Sequence, residues 1–215
     1  MYGLEDPLIC LLSDPPKKSI YKEKILTKIT AFHEKELRDH AKSKLKYLNV
    51  SISGLRGKSH PSLSNLLTTH DVSKSQTHIK MLCENYFTYE ITANQSGGSP
   101  HCRSCSLPNQ VEKPTENLVH IISECVAYED IRRRVLPEFS LLCRQAKSNI
   151  SFENICMDNT KLCQFIMDPS SLNLSPRISK DDPLLDQFFI LSRDFCYAVH
   201  NKRMKILKER TSIEK

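Results

Sequence analysis

Apolar residues recur along this chain mostly at helical spacing. Leu26, Ile29, His33, Leu37, Ala41, Leu45 and Leu48 follow one another at steps of 3, 4, 4, 4, 4 and 3. Their mean step is close to one helical turn, so they line one face of a predicted helix that begins at Lys17. Lysines and glutamates fill the other face. His33 and His40 lie near the stripe and read as boundary residues. A second helix is expected near 72–84, with Asp71 as N-cap and Val72, Ile79, Leu82 and Cys83 on its apolar side. Tyr86, Phe87, Tyr89 and Ile91 fit either a short strand or a continued helix. Thr115 is placed to cap a helix through Leu118, Val119, Ile121 and Ile122. Another helix, near 128–136, carries Tyr128, Ile131, Val135 and Leu136, and Pro137 is expected to interrupt it. Residues 151–167 read as helical, and a last helix spans about 184–209, with Leu185, Phe188, Phe189, Phe195, Cys196, Val199 and Ile206 inward.

The fold class that follows is mostly α: several helices around a small metal site, with a long basic N-terminal helix. Breaks divide the chain into an extended lead-in at 1–16, a basic helix and loop at 17–70, a cysteine-bearing region at 71–145 and a helical C-terminal segment with a basic tail at 146–215. Asn49–Pro61 is a loop, Ser96–Pro100 is a Gly-Gly-Ser-Pro break, and Pro169–Pro183 is a polar linker.

Charge changes the picture because it is clustered. The net charge of +6 hides +8 over residues 17–58 and +4 over residues 201–215, around a middle that is nearly neutral. Clustered lysine and arginine attract phosphate through counterion release. A solvated helix face is the other reading of such a run. No stretch of about 18 apolar residues is present and Glu5, Asp6 and Pro7 precede only a short apolar run, so neither a membrane span nor a secretory signal is expected. An intracellular location, nuclear or cytoplasmic, follows as an expectation. The nine cysteines are an odd number, and without a sign of secretion they read as thiols or metal ligands, not staples.

Cys102-x2-Cys105-x14-His120-x4-Cys125 carries the candidate chemistry. Zinc takes four thiolate or imidazole ligands in a tetrahedron, and a C-x2-C turn presents two thiolates to one ion. On an ideal helix His120 and Cys125 would point about 140° apart. Both reach one ion only if the helix ends or distorts around Ser123–Cys125, and that distortion is expected. With four protein ligands the site would hold structural Zn²⁺. Arg103, Arg132, Arg133 and Arg134 either offset the charge of the thiolates or face phosphate. His101 is an alternative nitrogen ligand, awkward because it adjoins Cys102. Cys10, Cys83, Cys143, Cys156, Cys163 and Cys196 read as small apolar residues of the core.

The run from Thr115 through His120 and Cys125 to Tyr128, with Arg132 or Arg133 after it, resembles the zinc-binding region of non-LTR (LINE-type) retrotransposon reverse transcriptases. In that family a C-x2-C pair precedes a helix carrying H-x4-C, and an Arg-containing helix follows. Val126 stands here where proline is usual. Lys44–Leu48 before His60-Pro61, Phe165–Pro169 and Leu191–His200 resemble the flanking segments of such polyproteins. The resemblance covers nearly the whole chain and places it at their C-terminal end, without the polymerase. The polymerase's aromatic-x-Asp-Asp is missing: Asp181-Asp182 follows Lys180 and precedes Pro183, as in a solvated turn.

Together these readings give a zinc-stabilised, non-enzymatic module that binds RNA or DNA through its phosphate backbone. The contacts would come from Lys17, Lys18, Lys42, Lys44, Lys46, Arg103, Arg132, Arg133 and Arg134. The resemblance adds a reverse transcriptase core as a partner. Two other readings stand beside it: a protein–protein interaction module of a retroelement polyprotein, and a degenerate nuclease that would use Asp181.

Overall fold

The computed structural model describes residues 18–44, 47, 61–63, 67–105, 113–146, 151–172 and 183–213. Within residues 18–44, side chains are described for 22–33, 35, 36 and 39. The chain divides into two units, Met1–Leu45 and Lys46–Lys215.

The first unit contributes α1, Lys18–Lys44. Its half-buried described residues are Ile25, Ile29 and Phe32, spaced as one helical face, whereas Leu26 and His33 are exposed. The apolar stripe is therefore rotated from the one anticipated at Leu26 and His33. Phe32 replaces His33 because a phenyl ring gains more from burial than an imidazole.

The second unit is built from α2 (Thr69–Leu82), α3 (Tyr89–Ser96), α4 (Glu129–Gln145), α5 (Phe152–Cys156), α6 (Asn159–Met167) and α7 (Pro183–Ile213). Short 3₁₀ turns occupy Pro61–Leu63, Val126–Tyr128 and Pro169–Leu172. The long α7 packs on both α2 and α4, and α6 packs on α5 and on the segment around His120. No strand occurs among the described residues; His101 and Thr115 make an isolated antiparallel bridge. No helix among them is long and apolar enough to cross a membrane.

Phe165 is the hub of the core. Its ring meets Phe139, Phe152 and Phe188 edge-on at centroid distances of 5.3, 5.6 and 5.8 Å. Such T-shaped contacts add about 0.5–1.5 kcal/mol each beyond burial. These rings come from α4, α5, α6 and α7, so residues 71–145 and 146–215 share one core.

Several elements start or end differently from their sequence signals. Asp71 is not the N-cap of α2. Thr68 caps it, and Asp71 is the N3 partner that completes a capping box, its carboxylate accepting from the Thr68 N–H at 3.0 Å. The buried face of α2 is Ser75, His78, Met81 and Leu82, and Val72 is exposed. Pro137 does not stop α4. It sits exposed in the middle of the helix while Val135 and Phe139 on either side are buried, and that packing holds the helix across the missing N–H. Residues 151–167 form two helices, because Asp158 caps a new one by accepting from Thr160 and Lys161. Residues 86–91 hold the loop into α3 and its first turn, not a strand.

The buried polar groups tie distant segments together. Arg193 of α7 donates to the Ser62 carbonyl and to Ser75 Oγ, at 3.3 and 3.1 Å. His78 Nε2 lies 2.9 Å from the Met167 carbonyl at the end of α6. Arg203 of α7 pairs with Glu116 where both are about 1% exposed or less. Its guanidinium also lies 5.5, 5.4 and 5.7 Å from the rings of Tyr86, Phe87 and Tyr89. Glu116 Oε1 additionally accepts from the Tyr89 N–H at 3.1 Å. Burial pushes the Glu116 carboxyl above its ordinary value, and Arg203 pulls against that.

Arg203→Ala should destabilise the second unit by about 3–5 kcal/mol in denaturant unfolding, because Glu116 would be left buried and unpaired. An Arg203→Met, Glu116→Leu double variant should recover most of that loss. A second test concerns His200, whose Nδ1 lies 2.9 Å from the Tyr86 hydroxyl. Burial, then the charges of Arg203 and Lys80, hold His200 below its ordinary value. The unfolded chain therefore takes up a proton, as pH falls through about 6.5, that folded His200 refuses. Stability contributed above that pH should be lost toward the lower folded value, and His200→Asn should flatten the loss between pH 7 and the carboxylate range.

Candidate metal centre

Two short pieces of backbone present the four donors. The first is the knuckle Cys102–Cys105. It is held by the bridge to Thr115, through Cys102 N–H to the Pro114 carbonyl and Glu116 N–H to the Pro100 carbonyl, both at 2.8 Å. The backbone N–H groups of Ser104 and Cys105 point at Cys102 Sγ and favour its thiolate. Gly97 ends α3 with φ of +74°, a left-handed conformation suited to glycine, and turns the chain toward this knuckle.

The second piece is the turn that carries His120. Asn117, not Thr115, caps it: Asn117 Oδ1 accepts from the His120 N–H at 2.9 Å. Thr115 is instead part of the bridge. His120–Glu124 is a π-helical turn, closed by the Cys125 N–H on the His120 carbonyl at 2.7 Å. An i→i+5 bond stacks residue 125 over residue 120, which is the change of winding the H-x4-C spacing requires. Cys125 itself leaves the helix, at φ −57° and ψ 117°. The distortion anticipated at Ser123–Cys125 is present, and it begins at His120.

The donors converge. Cys102 Sγ lies 3.9 Å from Cys125 Sγ, Cys105 Sγ lies 3.4 Å from His120 Nε2, and all four donor atoms fall within 4.8 Å of one another. A tetrahedral ion with bonds of about 2.3 Å to sulfur and about 2.0–2.1 Å to nitrogen needs edges of about 3.8 and 3.6 Å. The Cys₃His set therefore fits a metal ion. Cys102, Cys125 and His120 are buried, and Cys105 is partly exposed. His101 is exposed and outside this group.

Without a cation the three thiols compete for one negative charge. The hydrogen bond from Cys125 and the backbone N–H groups hold the Cys102 thiol down at about 3. Burial, and then the Cys102 charge, push the Cys105 thiol up to about 11. The Cys102 hydrogen bond and burial hold Cys125 far above the ordinary thiol range. Burial alone would lower His120, but its interactions with Cys102 and Glu124 outweigh that and raise it. A bound cation favours the thiolate at all three cysteines, so metal uptake is expected to displace the protons of Cys105 and Cys125.

Around the donors sit groups that sequence spacing did not single out. His120 Nδ1 faces Glu124 at 3.4 Å, and Glu124 is in turn held by Asn159 Nδ2 at 3.1 Å. Ser123 Oγ donates to the Asn159 carbonyl at 2.8 Å. A carboxylate on the remote nitrogen fixes the ring so that Nε2 is the donor to metal. Tyr128 is fully buried and its hydroxyl donates to Ser104 Oγ at 2.7 Å. Arg210 of α7 approaches the Ser104 carbonyl at 3.5 Å. Tyr128 had a signal in its fixed place after Cys125. Asn159 had none, because it arrives from a separate helix.

The arginines divide. Arg132 does not face phosphate: it is 4% exposed, and its Nη2 donates to the Cys125 carbonyl at 2.7 Å and to Glu129 at 2.9 Å. It braces the ligand-bearing turn. Arg133 is exposed and pairs with Glu129 at 3.1 Å, and Arg134 is exposed. Arg103 is exposed, with its guanidinium 4.9 Å from the Tyr89 ring centroid. Lys18, Lys42 and Lys44 lie on α1, but their side chains fall outside the described residues, as do Lys17 and Lys46 altogether. Cys10 and Asp181-Asp182 also lie outside them. Cys143, Cys163 and Cys196 are buried thiols, and Cys83 and Cys156 are half-buried. The chain matches no family model, no curated protein and no solved structure.

Cys125→Ser should reduce metal content below one ion per chain, measured by elemental analysis. It should also melt the region 102–125, read as lost amide protection, while α7 persists. Full metal content in this variant would remove Cys125 from the ligand set.

Proposed function

We propose that the chain is a zinc-stabilised nucleic-acid-binding module without catalytic activity of its own. The observation that carries the zinc reading is the closure of three sulfurs and one imidazole nitrogen on a single buried centre. Soft thiolates with one nitrogen in a tetrahedron select zinc among the common divalent ions. All four positions are taken by protein, which suits a structural ion and leaves no place for a substrate. The ion would link the Cys102 knuckle to the His120 turn, and through Arg132 and Tyr128 to α4.

The nucleic-acid reading is supported by charge. Lys22, Lys24, Lys28 and Lys35 are exposed on α1, and the stretch 17–58 carries +8. Arg103, between the first two donors in the sequence, and Arg134 on α4 add exposed guanidiniums. Arg132 contributes to stability instead. The likeness of the H-x4-C region to that of retrotransposon reverse transcriptases supports the same reading and extends the partners to a reverse transcriptase core. A protein-interaction module is favoured by one observation, that Arg132 and Arg133 already spend charge on Glu129.

Binding of a structured RNA and of single-stranded DNA across a salt series decides between them. The logarithm of affinity should fall linearly with the logarithm of salt, at a slope of about −0.7 to −0.9 per phosphate contact. Charge reversal at Lys22, Lys24 and Lys28 together should flatten that slope. A slope near zero in the unmodified chain would leave the protein-interaction reading.

A further inference from the structure

Phe87 stands outward in the loop that joins α2 to α3, between buried Tyr86 and buried Thr88, and is 52% exposed. Its ring meets that of Tyr89, the first residue of α3, edge-on at a centroid distance of 5.7 Å. The guanidinium of buried Arg203 lies 5.4 and 5.7 Å from the two ring centroids. Thr88 Oγ1 accepts from the Ile91 N–H, and Glu116 accepts from the Tyr89 N–H, so the backbone that carries both rings is tied down on each side. The fold places these rings; a free loop would not.

One exposed phenyl is ordinary on a protein surface. Here its neighbours are a second, half-buried ring and an arginine. Arg103, on the knuckle between Cys102 and Cys105, is exposed, and its guanidinium lies 4.9 Å from the Tyr89 centroid. It makes no ion pair among the described residues. Arg210 of α7 reaches the carbonyl of Ser104, the next residue of the knuckle, at 3.5 Å, and brings a second guanidinium to the same segment. The acids of this region are placed otherwise. Glu116 is buried against Arg203, and Glu84 and Glu90 line a pocket that none of Phe87, Tyr89 and Arg103 borders. Aromatic rings with cations among them match a single-stranded nucleic acid. Each base has a face to stack on a ring or a guanidinium plane, and the phosphates take the charge. A duplex keeps those faces inside its own stack and offers its phosphates alone.

We infer that Phe87, Tyr89 and Arg103 form a stacking surface for the bases of a single-stranded nucleic acid, with Arg103 and Arg210 serving its phosphates. The inference rests on the nucleic-acid reading proposed above and specifies it: the strand is unpaired, and its bases meet the rings at the start of α3. These residues all belong to the second unit, so they are tested apart from the lysines of α1.

The chain has no tryptophan, so Phe87→Trp puts a single fluorescent reporter on this surface while keeping an aromatic ring there. In the full zinc-loaded chain its emission should be quenched, saturably, by single-stranded oligoadenylate. An abasic strand of the same length, and the same strand paired in a duplex, should quench it little. In the chain otherwise unmodified, Phe87→Ala should weaken oligoadenylate by about fivefold or more at every salt concentration and leave the salt slope unchanged, because stacking carries no charge. Arg103→Ala should reduce that slope by about one contact. Equal quenching by the abasic strand or the duplex, or oligoadenylate affinity unchanged in Phe87→Ala, would overturn this inference and leave salt-dependent nucleic-acid binding standing. Absence of binding by every strand would overturn both.

Discussion

A five-residue gap between two ligands on a regular helix points them to different sides, and a single ion cannot accept both. The molecule meets this constraint by rewinding one turn. The His120 carbonyl takes the Cys125 N–H in place of the usual partner one residue earlier, and the two side chains come to lie over the same centre. The rewinding must be held from outside, since a π-turn is poor helix by itself. Arg132 takes the Cys125 carbonyl, Asn117 takes the His120 N–H, and Ser123 reaches to α6. The metal centre, the start of α4 and the docking of α6 are thus set by one local distortion.

That distortion would be costly in an isolated peptide and is affordable here because Ile121 and Ile122 are fully buried beside it. They anchor the turn in the same core that Phe165 organises. Across the knuckle, Arg203 of α7 reaches Glu116 just after the bridge, and Arg210 reaches Ser104. The C-terminal helix therefore clamps both the core and the metal region. A charged pair so deeply buried stabilises little by itself, but losing either partner is expensive, so it specifies how α7 sits.

The donor cluster and the exposed charge are carried by different side chains. The four donors that could hold a metal ion are protein side chains, three of them buried and Cys105 partly exposed. Exposed positive charge is found on the lysines of α1 and on Arg103 and Arg134. Arg132 braces the turn that carries Cys125, donating to the Cys125 carbonyl and to Glu129. Three successive arginines that look equivalent in sequence thus have three different environments, because a helix turns each by 100° relative to the last.

Spacing alone determined much of this. Helical periodicity located most of the helices, though not α3 nor the division of 151–167 into two, and the C-x2-C with H-x4-C pattern named the four donors and required the helix to break its winding, because those features depend on neighbours close in the chain. Tertiary structure alone decided the rest. That α4 runs through Pro137 depends on burial of Val135 and Phe139 against other helices. That Ile25 and Phe32, not Leu26 and His33, are the half-buried residues of α1 depends on small rotations the periodic pattern cannot resolve. That Thr68 and Asp158 start helices was signalled only weakly, since serine, threonine and aspartate are common near each candidate start. The pairing of Glu116 with Arg203, and the reach of Asn159 to Glu124, join residues 87 and 35 positions apart. No local preference encodes such contacts: they exist because the core brings those helices together, and each buried charge must then find a partner.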